Sequence, residues 1–261
     1  MKVLFVFAHP DKNSFNHSLL DAAVKRLESQ GNEVKVSDLY RMKFKTTVDE
    51  DDFLNHENGT RLKVAQASYA ATEANQLTDD VVAEQEKLKW ADTVIFQFPI
   101  WWFSMPAILK GWFDRVFSCG FAYGVGIHDE THYGDRYGEG VMEGKRAFCM
   151  VTTGGSNDHY SQRGINGPID DILFPINHNM LFYPGFSVLP AIVTYRADSR
   201  REEVYANAEK AVLERMDNLA TVEPIHFRRQ NFGDYNIPEM TLKEGLEQPG
   251  QTHFDIHIKR D

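Results

Sequence analysis

The sequence of 261 residues predicts an α/β fold in which helices cover both faces of a parallel sheet. Two observations support this fold class. Short apolar runs rich in β-branched and aromatic residues alternate along the chain with segments whose apolar residues recur at helical spacing. The first run, Lys2–Ala8, is apolar at almost every position, which is typical of a strand buried on both faces. We therefore take it as the first strand.

The next elements follow from spacing and stop signals. A helix is predicted from about Ser14 to Ser29, because its leucines and alanines form one apolar stripe, and Gly31 provides a stop signal. Glu33–Leu39 contains alternating apolar residues and is predicted to be the second strand. Residues 41–78 are polar and irregular, apart from a helix predicted near Leu62–Thr72.

The third strand is predicted at Thr93–Phe98, between two helices. The helix before it, Asp79–Trp90, has acidic residues in its first turn and Thr78 as its cap. The helix after it, Ala107–Phe117, follows Pro106, which suits a first helical position.

Two more strands, Arg146–Thr152 and Val188–Thr194, and a helix at Arg201–Leu219 complete the pattern. Five strands favour a flavodoxin-like, doubly wound, five-stranded parallel sheet over a six-stranded dinucleotide-binding domain. We therefore predict one flavodoxin-like domain over residues 1–220. The C-terminal extension, residues 221–261, could wrap a partner subunit or form a loosely ordered tail.

Composition disfavours two classes of partner. Lys and Arg number 28 against 38 Asp and Glu, a formal net charge of −10, so we expect no nucleic acid partner. No apolar run reaches the roughly 20 residues that a membrane-spanning helix needs, so we expect no stable membrane insertion. The chain has no signal-peptide cleavage pattern and only Cys119 and Cys149, so we expect a cytoplasmic protein with reduced thiols.

The candidate site lies where three strands end, because ligands of open parallel sheets bind beyond the carboxyl ends of the strands. Residues 9–16 lead into a helix N-terminus, which favours an anion. Residues 99–106 are unusually rich in aromatic residues and proline, and residues 152–160 contain paired glycines that let backbone approach a flat ligand. Together the three loops predict a phosphate-bearing cofactor with a planar ring system.

The central motif is Phe96-Gln97-Phe98-Pro99 with Trp102-Phe103, followed by Pro106–Phe117. It continues in Phe121-Ala122-Tyr123 and in Thr152–Ser156. In these residues the sequence resembles the NAD(P)H:quinone oxidoreductases of the DT-diaphorase type, over roughly residues 1–220. The resemblance implies FAD-dependent two-electron reduction of quinones by NAD(P)H. Hydride would pass through flavin N5 with ping-pong kinetics in one shared slot, which a second subunit completes, so a homodimer is implied.

The resemblance also implies the site residues. The catalytic residues would be Tyr160, Asn166 and Gly154. The slot for nicotinamide and quinone would be lined by Phe103, Phe121, Ala122, Tyr123 and Tyr183. FAD would be bound by residues of all three loops and of the segment after the last strand: His9, Asn13, Phe15, Asn16, Ser18, Pro99, Ile100, Trp101, Trp102, Phe103, Thr152, Thr153, Gly154, Gly155 and Tyr160, with Arg200 or Arg201 at the adenine end.

Three departures from the family concern the slot. Tyr160 and Asn166 are expected to donate hydrogen bonds to the negative charge of the reduced flavin, and Asn166 stands where the family's best-known member has His. A second slot-lining Tyr of the family is Val125 here. The segment Tyr123–Lys145 contains an insertion relative to the family.

Other functions stay open at the level of the sequence. They are a flavoprotein regulatory subunit of a potassium-efflux system, a reductase of azo- or nitro-aromatic compounds, and an FMN electron carrier, although the first loop lacks the Gly- and Thr-rich pattern of such carriers. The pairs His128/His132 and His253/His257 have helical metal-ligand spacing but no obvious third ligand, so we predict no metal site.

Overall fold

A parallel sheet lies at the centre of the computed structural model, which describes residues 1–260. Its order is β2-β1-β3-β4-β5, with the short β6 also paired to β4. The predicted flavodoxin-like arrangement is confirmed. The strands are β1 (Lys2–Phe7), β2 (Glu33–Asp38), β3 (Thr93–Pro99), β4 (Arg146–Thr152), β5 (Ser187–Val188) and β6 (Ile192–Thr194).

Helices cover both faces of the sheet, as predicted. Side chains of β1 alternate between the faces: Phe5 belongs to a buried cluster with residues of α1 and α6, and Val6 to one with residues of α3 and α4. The helices are α1 (Phe15–Ser29), α2 (Val64–Glu73), α3 (Asp79–Trp90), α4 (Ala107–Val116), α5 (Ile169–Ile176) and α6 (Glu202–Asp217). No helix within residues 1–260 is long and apolar enough to cross a membrane.

The fifth strand differs from the prediction of one strand over Val188–Thr194. β5 pairs with the start of β4 and β6 with its end, and residues 189–191 belong to neither strand, although Leu189 N still donates to Ala147 O at 2.8 Å. Pro190 lies in this gap, and a proline has no N–H to donate to a sheet ladder. Pro106 was expected to take the first helical position. It instead lies immediately before Ala107, the first residue of α4.

The segment between β2 and α3, residues 41–78, forms an excursion from the sheet domain. It is anchored by Arg115 of α4, whose side chain is 1% exposed. Its Nε donates to Asp52 Oδ1 at 2.9 Å, and its two terminal nitrogens donate to Asp80 at 2.6 and 3.0 Å. Lys45 forms an ion pair with Asp52 at 3.2 Å. One buried cation thereby ties the excursion and the first turn of α3 to α4.

The C-terminal extension packs on its own chain. Its strands β7 (Tyr235–Asn236) and β8 (Thr241–Leu242) form an antiparallel pair. Before them, Gln230 Nε2 donates to Tyr133 O at 2.9 Å, and Asn231 Nδ2 donates to Gly134 O at 2.9 Å, both in the 123–145 segment. The extension is therefore ordered against this segment. That it also wraps a partner subunit stays a prediction.

Candidate functional site

The loops that follow β1, β3 and β4 meet at one edge of the sheet, as the sequence predicted. Ala8 N donates to Gln97 O at 3.0 Å, and Ile100 N donates to Thr152 O at 2.8 Å, so the three strands end in register. The rings of His9 and Trp101 have centroids 6.4 Å apart. A ligand at this edge can touch all three loops at once.

The first loop presents free backbone donors. Ser14 caps α1, because its Oγ accepts from His17 N at 3.1 Å. The N–H groups of Phe15 and Asn16 have no acceptor within residues 1–260. The start of α1 is therefore available to an anion such as a phosphate. Asn13 and Ser18 are exposed beside it.

The side chains of Asn16 and Thr152 contact each other and support the edge from within. Asn16 is 4% exposed, and its Nδ2 donates to Thr152 Oγ1 at 2.8 Å. Gln97 Nε2 donates to Asn16 O at 2.6 Å. The oxygens Asn16 Oδ1 and Gln97 Oε1 are buried without a partner in the described chain. The sequence analysis assigned no role to Gln97. Its neighbours on β3 are apolar and did not indicate that its side chain would hydrogen-bond to the first loop.

The second loop is a tight turn with an unusual backbone. Trp101 and Ser104 exchange backbone hydrogen bonds of 3.0 and 3.1 Å, and the residues between them, Trp102 and Phe103, have φ of +49° and +60°. Side chains in this left-handed region cost on the order of 1 kcal/mol each, which is why such turns usually contain Asn and Gly. The N–H groups of Trp102 and Phe103 have no acceptor within residues 1–260, and Trp102 is 95% exposed.

Only part of the predicted run 99–103 offers donors to a ligand. Pro99 has no N–H, and the N–H groups of Ile100 and Trp101 are used within the protein. Trp102 and Phe103 therefore provide the free backbone N–H donors of residues 99–103, beside exposed aromatic surface.

The third loop is organised around Tyr160. Its hydroxyl lies 2.8 Å from Thr153 Oγ1, and both residues are buried. A Cβ on Gly155 would lie 2.7 Å from Tyr160 Cε2, and one on Gly154 would lie 2.5 Å from Asp198 Oδ2. The glycines thus make room for the protein's own Tyr160 and Asp198, a reason that the sequence analysis did not give. Asp198 was also missed, since it follows another strand.

Asn166 is held beside the third loop, because its backbone N donates to His159 O at 3.0 Å, next to Tyr160 in sequence. The side chain of Asn166 is half-buried and makes no hydrogen bond to another described residue. His159 is exposed, and its Nδ1 accepts a 3.4 Å hydrogen bond from Ser156 N. An amide donor and a phenol therefore share this loop.

Next to the start of α1 lies a cavity of about 310 Å³. Its walls include Phe15, Tyr205, Arg200 and Arg201, and the rings of Phe15 and Tyr205 meet edge to face at 5.4 Å. Both arginines therefore border the same cavity, where the sequence analysis left a choice between them. Tyr205 was missed, although its position in the first turn of α6 places it at this edge.

The predicted slot residues do not meet in one chain. Tyr123, Tyr183 and Ala122 line a separate cavity of about 560 Å³ along α4, and no residue of the loops 99–106 or 152–160 borders it. Phe103 lies on the second loop, away from this cavity. Phe121 does not border this cavity either: it is buried in the core, and Lys89 Nζ at the end of α3 lies 5.7 Å from the centroid of its ring.

The histidine pairs and cysteines have structural surroundings. His132 Nε2 lies 2.9 Å from Asp135 Oδ1, and His257 Nδ1 lies 2.9 Å from the Tyr235 hydroxyl. Within residues 1–260 no group of three His, Cys, Asp or Glu side chains could hold a metal ion. Cys119 and Cys149 form no disulfide, and burial raises the pKa of the Cys149 thiol to about 12.

Comparison with known proteins agrees with this fold. A family model described as a flavodoxin-like fold matches residues 1–216. A ribosyldihydronicotinamide dehydrogenase-like protein of Penicillium crustosum is 50% identical over 261 residues, 100% of this chain and 97% of that protein. NAD(P)H dehydrogenase (quinone) 1 of Cavia porcellus is 37% identical over 248 residues, 94% of this chain and 87% of that protein.

A solved structure is similar over nearly the whole length. It is a Klebsiella pneumoniae protein named as a candidate quinone reductase, with 55% sequence identity and a TM-score of 0.96. The match covers 99% of this chain and 100% of that one. The similarity therefore includes the C-terminal extension as well as the sheet domain.

Proposed function

The chain belongs to the flavodoxin-like family that includes the NAD(P)H dehydrogenases (quinone) and ribosyldihydronicotinamide dehydrogenases, and we propose that it uses FAD to reduce quinones with NAD(P)H by two electrons. One observation carries this proposal. The strained turn at Trp102 and Phe103 holds two free N–H donors beside aromatic surface, at the same edge as the free N-terminus of α1. Such an edge suits a planar ring joined to a phosphate.

The residues present fit FAD in three parts. The N–H groups of Phe15 and Asn16 would hold the pyrophosphate, and those of Trp102 and Phe103 the polar edge of the ring. The cavity between Phe15 and Tyr205 would hold the adenine by aromatic contact. FMN has no adenosine that could fill this cavity. The presence of the cavity therefore supports FAD as the cofactor. When bound, the flavin supplies hydride transfer between nicotinamide and quinone.

The side chains of the third loop would stabilise charge. Tyr160 and Asn166 would donate hydrogen bonds toward the ring atoms where negative charge develops on reduction. The contact of 2.8 Å with Thr153 Oγ1 fixes the Tyr160 hydroxyl before any ligand binds, so little reorganisation is needed. Gly154, at the exposed start of this loop, would contact the ring through its backbone. Because nicotinamide and quinone would share one slot, we expect ping-pong kinetics.

A homodimer would complete the slot. In one chain the Tyr123 and Tyr183 cavity is separate from the edge that carries Trp102 and Phe103. Two chains related by a two-fold axis could bring the Tyr123 side of each to the Trp102 side of the other, giving two composite sites. We also place the protein in the cytoplasm, since both cysteines are unpaired.

The adenine cavity gives the test that separates FAD from FMN. Tyr205→Ala is expected to weaken FAD binding about tenfold while leaving FMN binding unchanged, because only the adenosine reaches Tyr205. Equilibrium titration of the apoprotein with each flavin measures both constants. Tyr69→Ala, at an exposed position of α2, is the matched control and should change neither. Equal effects of Tyr205→Ala on the two flavins would contradict the assignment.

A further inference from the structure

The C-terminal extension docks on the sheet domain through a cluster of aromatic rings that includes two histidines. Phe254 of the extension stacks on Phe174 of α5 at 4.3 Å between centroids. His178, in residues 177–182 that continue α5, stacks against Phe174 at 4.6 Å and against Tyr137 of the 123–145 segment at 4.9 Å. The ring of His257, which belongs to the extension, lies 5.6 Å from that of His178. Docking therefore brings two imidazoles together.

His178 has no group beside it that would stabilise a positive charge. Its Nδ1 lies 2.8 Å from the neutral amide oxygen of Asn179, and its Nε2 is buried without a hydrogen-bond partner in the described chain. The titratable groups that face it are the phenol of Tyr137 and the imidazole of His257. Within residues 1–260 no carboxylate acts on this ring. A charged His178 would therefore be poorly solvated in the docked state.

His257 lies next to a cation of its own extension. Its Nδ1 lies 2.9 Å from the Tyr235 hydroxyl, and Arg228 N donates to its backbone oxygen at 2.8 Å. The Arg228 guanidinium forms an ion pair with Asp234 at 3.0 Å, and Lys259 reaches the same carboxylate at 3.1 Å. Asp234 is therefore engaged by two cations and does not neutralise a charged His257.

Protonation opposes docking. Burial lowers the pKa of His178 to about 4, with a further decrease from His257, and burial and the charge of Arg228 lower the pKa of His257. In a released extension both rings would meet water and return toward the ordinary pKa of about 6.5. The released state therefore binds protons more readily. The docking free energy is fully present above about pH 6.5 and is lost as pH falls toward the docked pKa values.

We propose that His178 and His257 form an acid-sensitive latch, which holds the C-terminal extension against α5 and the 123–145 segment while both rings are neutral and releases it when they are protonated. Burial of the facing rings stabilises the closed state, and the two like charges in one apolar cluster destabilise it after protonation. Each histidine comes from a different side of the contact, so releasing the extension separates them.

The latch contacts one wall of the cavity along α4. Tyr137, which stacks on His178, also meets the ring of Tyr183 at 4.9 Å, and Tyr137 N donates to Tyr183 O at 2.8 Å. Asn179 borders both this cavity and the aromatic cluster. Release of the extension would therefore remove support from the Tyr183 wall. Docking itself does not depend on the function proposed above, so either proposal can fail without the other.

Hydrogen–deuterium exchange of the full-length protein with its cofactor measures docking, because a released segment of about 40 residues has too little core to stay folded alone. Protection factors are compared at pH 7.5 and 5.5 after correction for the intrinsic effect of pH on exchange. Over residues 251–260 they should fall about tenfold through His178 and further through His257. In the central strand β3 they should stay nearly constant, which separates local release from global unfolding.

His178→Phe keeps a ring in the stack and cannot be protonated, so protection over residues 251–260 should fall about tenfold less than in the parent. His253→Phe, at an exposed position of the same extension, is the matched control and should behave like the parent. Protection of β3 at pH 7.5 shows whether each variant is folded.

Three results would each overturn the latch. They are equal protection of residues 251–260 at the two pH values in the parent, a decrease there that matches the decrease in β3, and an undiminished decrease in folded His178→Phe. If His178→Phe does not fold, the two comparisons within the parent protein decide the question.

Discussion

Trp102 and Phe103 adopt a backbone conformation that their side chains disfavour, and the sequence around them offers no local reason for it. Trp102 is almost fully exposed, so packing does not hold it there. A strained pair of residues that presents free N–H groups at a sheet edge is consistent with selection for a ligand rather than for stability.

Removing one strained side chain tests this interpretation. Trp102→Asn should raise the free energy of unfolding of the apoprotein by about 1 kcal/mol, because Asn tolerates positive φ. The same variant should retain flavin less well, since the aromatic surface is lost. Chemical denaturation and a flavin titration measure the two effects. Tyr69→Asn, an exposed aromatic with helical φ, should give neither. A variant that loses stability would argue against strain.

The roles proposed for Tyr160 and Asn166 predict how the rate of flavin reduction changes on substitution and with pH. Tyr160→Phe should slow flavin reduction by NAD(P)H on the order of 10²-fold if its hydroxyl stabilises developing charge. Asn166→His should add an ionisation near pH 6.5, with faster reduction below it, because the imidazolium can stabilise an anion and the neutral ring does so less. Stopped-flow absorbance between pH 5.5 and 8.5 measures both. If the parent already shows this ionisation and His159→Ala removes it, then His159 is the group concerned.

At the residue scale, the sequence located the three loops but not all of their contacts. Motif residues such as Tyr160 and Phe15 could be placed because Tyr160 lies on the loop after a strand and Phe15 begins a helix. Gln97 and Asp198 could not, because their roles depend on contacts across strands. A local sequence pattern does not indicate which loop a buried amide side chain such as that of Gln97 will contact.

At the scale of elements, the excursion over residues 41–78 depends on Arg115. Asp52 and Arg115 are both buried, so removing the cation leaves a carboxylate without its main partner. Arg115→Met should therefore cost about 3–5 kcal/mol of stability, measured by urea denaturation. A cost below 1 kcal/mol would mean that the ion cluster does not hold the excursion.

Asp80, on the same cluster, gives a dependence on pH. Burial alone would raise the pKa of Asp80, but hydrogen bonds from Arg115 and Thr78 and the guanidinium charge hold it below its ordinary value. The unfolded chain therefore binds a proton on Asp80 more readily than the folded chain does. The ionised carboxylate thus contributes to the free energy of unfolding above a pH of about 4, and this contribution is lost as pH falls through the folded pKa. Asp80→Asn should flatten the decrease in stability below pH 4, and the exposed neighbour Asp79→Asn should not.

The strands and helices were largely predictable because apolar periodicity is local. The break in the fifth strand was signalled by Pro190, which the apolar run obscured. The pairing of the extension with the 123–145 segment joins residues 97 apart in sequence, such as Gln230 and Tyr133, and polar segments give no periodic signal for such contacts. The extension therefore could not be placed from its sequence.

At the scale of the whole molecule, composite sites predict complementation. Trp102→Ala would impair one half of the site and Tyr123→Ala the other, so each variant alone should be nearly inactive. After the two are mixed and allowed to exchange subunits, mixed dimers would contain one intact site each, and about a quarter of the sites should be active. Quinone reduction by NAD(P)H measures the recovery. No recovery, with subunit exchange verified by mass, would contradict the composite site.

The central claim is that this edge binds FAD in a dimer. Native mass spectrometry of the protein as purified tests it most directly, because one spectrum gives the number of chains and the mass of any bound cofactor. The account predicts particles of two chains that carry one FAD per chain. Particles that carry FMN in place of FAD, or single chains that retain a full complement of flavin and full activity, would contradict it.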